Sequence, residues 1–211
     1  MVLIISFKGL ISLGYISICK FNSFIYNETI VMDPKQIIQL FDDFLADKKA
    51  SFSGVIIGGS ALVLMGTTHR NTEDVDVLSP PIPLEILNYA EEFRNQLTYK
   101  GIKMVDQWFN NGPDSLLNAL PKDWKKNTTS IFKGRALTLS TLGRIDLLRS
   151  KLWALCDRRE QDREDLLSMR PSSEELNKCL PWVQDQDTNP EWPDYVETRF
   201  KALAKDLGYE L

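Results

Sequence analysis

Asp74 and Asp76 stand two residues apart in the run Arg70-Asn71-Thr72-Glu73-Asp74-Val75-Asp76-Val77. On a strand this spacing turns both carboxylates to one face, while Val75 and Val77 take the other. Two neighbouring like charges repel. A hard divalent cation, Mg2+ or Mn2+, would remove that cost and would also bind triphosphate oxygens. Upstream, the apolar run Val55-Ile56-Ile57 leads into Gly58-Gly59-Ser60 and a short apolar helix. That turn can offer backbone N–H groups and a hydroxyl to a phosphate. Its plainer alternative is a tight strand-to-helix turn with Ser60 as N-cap. Glu73 points to the opposite face and reads as structural. Arg70 and Thr72 either touch phosphate or are exposed loop polars.

A second group of candidates lies downstream. Lys151, Arg158, Asp162 and Asp165 are seven, four and three residues apart. On one continuous helix they would form a narrow stripe. Arg159 and Arg163 would then intrude on the apolar side, which points to a helix break near Glu160. Leu148, Leu152 and Leu155 bury the flank beside Lys151. The plainer alternative is an exposed helix laced with ion pairs. Lys122, Lys125 and Lys126 surround Trp124; such a cluster could meet an RNA backbone, but it reads more simply as an exposed loop of lysines.

Taken together, these motifs resemble the polymerase-β-like nucleotidyltransferase superfamily. Its signature is an apolar strand, Gly-Gly or Gly-Ser, a spacer and Asp-x-Asp; here residues 61–73 form a slightly long spacer. Ser150-Lys151-Leu152-Trp153-Ala154, Arg158 and Asp162-Arg163-Glu164-Asp165-Leu166 look like the downstream block of minimal nucleotidyltransferases of the AbiEii-toxin-like kind. Trp108-Phe109-Asn110-Asn111-Gly112-Pro113 looks like a feature of one uncharacterised bacterial group among them. The resemblance covers roughly residues 33 to 170.

The resemblance implies transfer of a nucleoside monophosphate from an NTP to an acceptor hydroxyl on a tRNA, a protein or a small molecule, with release of pyrophosphate. Mg2+ or Mn2+ would sit on Asp74 and Asp76, and Gly58, Gly59 and Ser60 would hold the distal phosphates. Lys151 and Arg158 would add positive charge, and Asp162 and Asp165 would line the same cleft. A cognate antitoxin would be a partner. The alternative is a non-catalytic nucleotide- or partner-binding module on the same fold. The chain departs from the superfamily pattern at its third carboxylate, because the stretch Ile131 to Leu139 holds no acid. Asp106, Asp146, Asp162 or Asp165 would have to substitute.

The rest of the chain must position these residues. Its 211 residues, 43% hydrophobic and 26% charged, can bury one good core. A net charge of −4 argues against a strongly basic nucleic-acid binder. Three distant cysteines, Cys19, Cys156 and Cys179, argue against a disulfide framework and fit a reducing cytoplasm. His69 is the only histidine, which excludes a multi-histidine metal site. Residues 1–31 are apolar but interrupted by Lys8 and Lys20. They match neither a signal peptide nor a membrane span, so no membrane partner is expected. Met32-Asp33-Pro34 reads as a helix start.

Helices are predicted over Asp33–Lys48, Ser60–Met65 and Leu84–Tyr99, and strands over Ser53–Ile57, Asp74–Leu78 and Ile102–Val105. Asn110 to Pro113 reads as a turn, and Thr129 to Leu139 as a hairpin or two short strands. From Gly143 the chain reads as helical throughout. The predicted class is α+β, a small mixed sheet with flanking helices followed by a helical segment. The predicted divisions are an apolar extension over 1–31 that need not belong to the fold, a nucleotidyltransferase-like core over 32–142, and a segment over 143–211 that completes the cleft.

Overall fold

A computed structural model describes residues 32–69, 71–157 and 160–209. The predicted extension over 1–31, with Cys19, and the candidates Arg70 and Arg158 lie outside the described residues.

Helix α1 (Pro34–Asp47) starts as its sequence dictates. The Asp33 carboxylate accepts the Lys35 N–H, and Pro34 takes the first helical position. Its apolar stripe, Ile38, Phe41 and Leu45, is buried. Strand β1 (Phe52–Ile57) follows and runs directly into α2 (Gly58–Leu64). Strand β2 (Val75–Ser79) returns antiparallel to β1, with Ile57 opposite Asp76. Helix α3 (Leu84–Tyr99) matches its predicted bounds.

The next strand departs from the sequence reading. Ile102–Val105 forms no extended strand; β3 is Phe109–Asn111, overlapping the segment read as a turn, and pairs parallel to β2 with Asn110 opposite Asp76. Burial decides this. Trp108 and Phe109 are both 2% exposed and belong to an aromatic cluster with Phe41, Phe93 and Phe52. The Trp108 Nε1–H also donates to the Ala90 carbonyl at 3.0 Å. Ring burial outweighs the turn preference of Asn-Asn-Gly-Pro, and the chain bends one step later, at Gly112 and Pro113, into α4 (Asp114–Ala119).

A 3-10 turn over Trp124–Asn127 precedes the hairpin β4 (Thr129–Lys133) and β5 (Leu137–Thr141). The sheet order is β3-β2-β1-β5-β4, with β5 parallel to β1 and antiparallel to β4. Helices α5 (Arg144–Cys156), α6 (Glu160–Met169), α7 (Ser173–Gln184) and α8 (Trp192–Asp206) complete the described chain. A capping box between Ser172 and Glu175 starts α7. The fold is α+β, a small mixed sheet with flanking helices and a helical C-terminal segment.

The sheet has two apolar faces. One packs Ile56, Val75 and Val77 against α1 and α3. The other joins Ile57, Leu78 and Leu142 to Leu148, Leu152 and Leu155 of α5 and to buried residues of α6, α7 and α8. The late helices thus share a core with the sheet and lie over the face that carries Asp76.

Asp42 ties α1 to the β4–β5 turn. It is fully buried and accepts the N–H groups of Arg135, Ala136 and Leu137 at 3.0, 2.8 and 2.7 Å. Burial on its own would raise its pKa. The three backbone bonds, with the Arg135 charge, outweigh that and hold the carboxyl below its ordinary value.

Candidate functional site

The site forms where β1 ends, β2 begins and α5 passes above. Gly58 opens α2 with a φ of +77°, in the left-handed region where glycine is favoured. A Cβ at Gly58 would stand 3.0 Å from Asp76 Oδ2, so the missing side chain makes room for that carboxylate. Gly112 performs a related role from the other side. Its N–H bonds the Val77 carbonyl at 2.6 Å, and a Cβ there would meet that same carbonyl oxygen at 3.3 Å.

Ser60 is 2% exposed, and its hydroxyl donates to the backbone carbonyl of Asp74. It does not cap α2: the N-cap is Ile57, with no side-chain cap bond. Thr72 Oγ1 lies 3.4 Å from Asp74 Oδ1 and 3.5 Å from Ser60 Oγ. Ser60 and Thr72 therefore fasten the start of β2, and with it the position of Asp74.

Two adjoining cavities, of about 410 and 530 Å3, share Gly58, Asp74, Asp76, Lys151 and Asp162 as walls and make up one cleft. Gly59 and Thr72 line its second half. The strand residues and the helical residues, far apart in sequence, thus meet.

Lys151 is gripped by two carboxylates. Its Nζ lies 2.8 Å from Asp162 Oδ1 and 2.6 Å from Asp165 Oδ2. An ammonium has three donors, and these two bonds engage two of them. The predicted helix break lies between Cys156 and Glu160, and α6 packs on α5. This packing, rather than a single helical stripe, brings the three residues together.

The structure also separates the substitutes for a third acid. Among the residues of the five strands, Asp76 alone is acidic, and its parallel neighbour on β3 is the amide Asn110. Asp106 pairs with Arg94 and is largely exposed on the far side of the sheet edge. Asp146 pairs with Arg149 at 2.8 Å and lines a different cavity. Asp165 is buried beneath Lys151. Asp162 lines the cleft itself.

Asp74 and Asp76 could hold a hard divalent cation. Both are oxygen donors on one cleft wall, and the glycine at 58 leaves Asp76 its space. Among the described residues no three His, Cys, Asp or Glu side chains are gathered as a metal cage. A two-carboxylate site would take its remaining ligands from phosphate oxygens and water, the usual pattern for Mg2+.

Sequence reasoning missed several wall residues: Pro113, Leu116, Trp153, Asp157 and Gln161. Trp153 on α5 and its C-cap residue Asp157 are three and seven residues after Ser150, and that helical spacing was the available signal. Trp124 proves to be core, 5% exposed, with Lys125 Nζ 5.5 Å from its ring centre, so it offers no free stacking face. Glu73 pairs with Lys103 at 3.0 Å on the surface. A separate cavity of about 790 Å3 between α3 and the β3 edge contains neither Asp74 nor Asp76.

The matched family agrees with this architecture. Residues 35–180 match the model of a family described as nucleotidyltransferase of unknown function (DUF6036). The chain belongs to that family, and so to the nucleotidyltransferase-like class. Among solved structures, it is similar to an antigenic nucleotidyltransferase-like protein from Paracoccidioides brasiliensis, at 16% identity and a TM-score of 0.44, over 85% of this chain and 94% of that one. Comparison with curated proteins found no match. No helix among the described residues is long and apolar enough to cross a membrane.

Proposed function

We propose that the protein binds a nucleoside triphosphate together with Mg2+ or Mn2+ in the cleft between the β1–α2 turn, the start of β2 and α5–α6. The observation that carries this reading is the shared cleft wall of Gly58, Asp74, Asp76, Lys151 and Asp162. The divalent ion on Asp74 and Asp76 would neutralise phosphate charge that the acidic cleft would otherwise repel. Gly58 and Gly59 let the backbone approach the phosphates closely. Ser60 and Thr72 hold Asp74 in place, and Lys151 acts mainly through Asp162 and Asp165. Arg70 is assigned to phosphate by its sequence position before β2, and Arg158 by the resemblance alone.

Calorimetry with ATP, with and without Mg2+, tests the proposal. Affinity should depend on the metal and should vanish when Asp74→Asn is combined with Asp76→Asn. Equal binding by wild type and the double variant would overturn it.

A second reading, nucleotidyl transfer, is favoured by Asp162, which alone of the four substitute acids shares the cleft with Asp74 and Asp76. An acceptor hydroxyl would attack the α-phosphorus, its proton passing to Asp162, while the bond to the pyrophosphate breaks. The acceptor would be a tRNA, a protein or a small molecule, and the AbiEii resemblance would add an antitoxin partner and a cytoplasmic setting. Labelled NTP incubated with RNA and cell extract should yield labelled acceptor, and Asp162→Asn should abolish the label while leaving binding intact. Binding without any transfer of label would leave the non-catalytic module as the function.

A further inference from the structure

The two halves of the cleft differ in chemistry. The half lined by Gly59, Asn71, Thr72, Glu73 and Gln161 is polar. The other gathers the apolar side chains Ile57, Pro113, Leu116, Trp153 and Ala154, together with Ser115, Ser150 and Asp157. A nucleotide has the same division, a charged phosphate chain joined to a flat, apolar-faced ring. We infer that the nucleobase lies in the half walled by Pro113, Leu116 and Trp153, stacked on the Trp153 indole. This inference rests on the nucleotide-binding reading given above.

Three features of Trp153 support the assignment. It sits on the cleft-facing side of α5 with Ser150, Ala154 and Asp157, so its ring belongs to the wall that carries Lys151. It is partly buried at the rim of the core. Its ring is also propped from behind: Trp182 meets it edge-on, with centroids 5.8 Å apart and planes at 85°. Trp182 is in turn held by a hydrogen bond from its Nε1–H to the Ala119 carbonyl at 3.3 Å, and the Arg149 guanidinium lies 6.0 Å from its ring centre. A stacking surface fixed in advance loses little freedom when a base arrives. Every base has a π-face, so the platform would take purines and pyrimidines alike. The apolar side chains of this half suit a ring better than a phosphate, and Asp157 beside them would repel a phosphate.

The test compares Mg2+-ATP with Mg2+-tripolyphosphate, which carries the charge but no base, by calorimetry on the full chain. Wild type should bind ATP more tightly than tripolyphosphate. Trp153→Leu, which keeps bulk against Trp182 but removes the π-face, should weaken ATP by about tenfold, within the usual worth of one base–aromatic stack. It should leave tripolyphosphate unchanged, and Trp153→Phe should restore most of the loss. Ser115 is exposed on α4, so Ser115→Trp should fold normally, intrude on the base and reproduce the selective loss. The inference falls if these variants weaken neither ligand, or both equally, or if wild type binds the two ligands with the same affinity. If wild type binds neither ligand, the nucleotide-binding reading fails and takes this inference with it. Asp74→Asn with Asp76→Asn separates the two cases, because it should abolish binding of both ligands whatever Trp153 does.

Discussion

Lys151 Nζ and Asp165 Oδ2 lie 2.6 Å apart in an ion pair almost wholly removed from water, with side chains 7% and 1% exposed. Asp162 lies 2.8 Å from the same Nζ. The lysine that the motif assigns to phosphate is thus first a counter-charge for two buried acids. Removing one member of a buried ion group strands the others.

Lys151→Met should therefore destabilise the protein by about 3–5 kcal/mol, the cost of leaving buried charges uncompensated. The double variant Lys151→Met, Asp162→Asn, which removes one of the stranded charges, should recover part of that loss. Urea unfolding followed by circular dichroism measures both. A single Lys151→Met variant as stable as wild type, yet unable to bind nucleotide, would instead make the lysine a phosphate ligand.

Asp42 sets part of the pH dependence of stability. Its folded pKa is lowered, because the bonds from Ala136, Arg135 and Leu137 outweigh the burial that would raise it. A depressed carboxyl contributes stability that is full above its unfolded value of about 3.9 and is lost as the pH falls through the lower folded value. Wild type should lose stability through this acidic window faster than Asp42→Asn, which lacks the titration. Asp42→Asn should already be weaker at pH 7 by roughly 1–3 kcal/mol. Thermal unfolding of both proteins at stepped pH checks the sign.

Gly58→Ala should act twice. The φ of +77° strains any side chain, and the new Cβ would press on Asp76 Oδ2 at 3.0 Å. Strain of this kind costs about 1–3 kcal/mol, and the displaced carboxylate should weaken metal-dependent nucleotide binding. Gly101 is the control: its φ is +82°, and a Cβ there would meet nothing within 4 Å. Gly101→Ala should lose stability without losing affinity, as unfolding curves and calorimetry on the two variants would reveal.

The thiols of Cys156 and Cys179 should be inert in the folded protein. Both are buried and free, and burial raises their pKa to about 11 and about 12. Because the thiolate is the reactive form, a Cys19→Ser variant should react with a thiol reagent at pH 8 only after denaturant is added. Rapid labelling under native conditions would contradict the packing of α5 and α7.

The sequence by itself determined the local elements and the chemical pair at the start of β2. Asp33-Pro34 dictated the start of α1, and its periodic apolar residues dictated the buried stripe. Val75 and Val77, alternating with Asp76, fixed which face of β2 is apolar, because side chains on a strand alternate by geometry. Such signals are local and need no knowledge of the rest of the chain.

The tertiary structure decided everything that required distant residues to meet. On one continuous helix Lys151 and Asp165 would stand about 21 Å apart, at 1.5 Å per residue; the packing of α6 on α5 brings them into contact. Nothing within Asn110-Asn111-Gly112-Pro113 reveals that Phe109 will be drawn into an aromatic core and carry Asn110 into β3 beside Asp76. The hydroxyl of Ser60 was legible as a donor, but its partner, the Asp74 carbonyl, became fixed only when β2 folded back against β1. Hydrophobic burial is non-directional and acts over the whole chain. It selected Asp162 from four acids for the cleft wall, and Trp153 from five tryptophans.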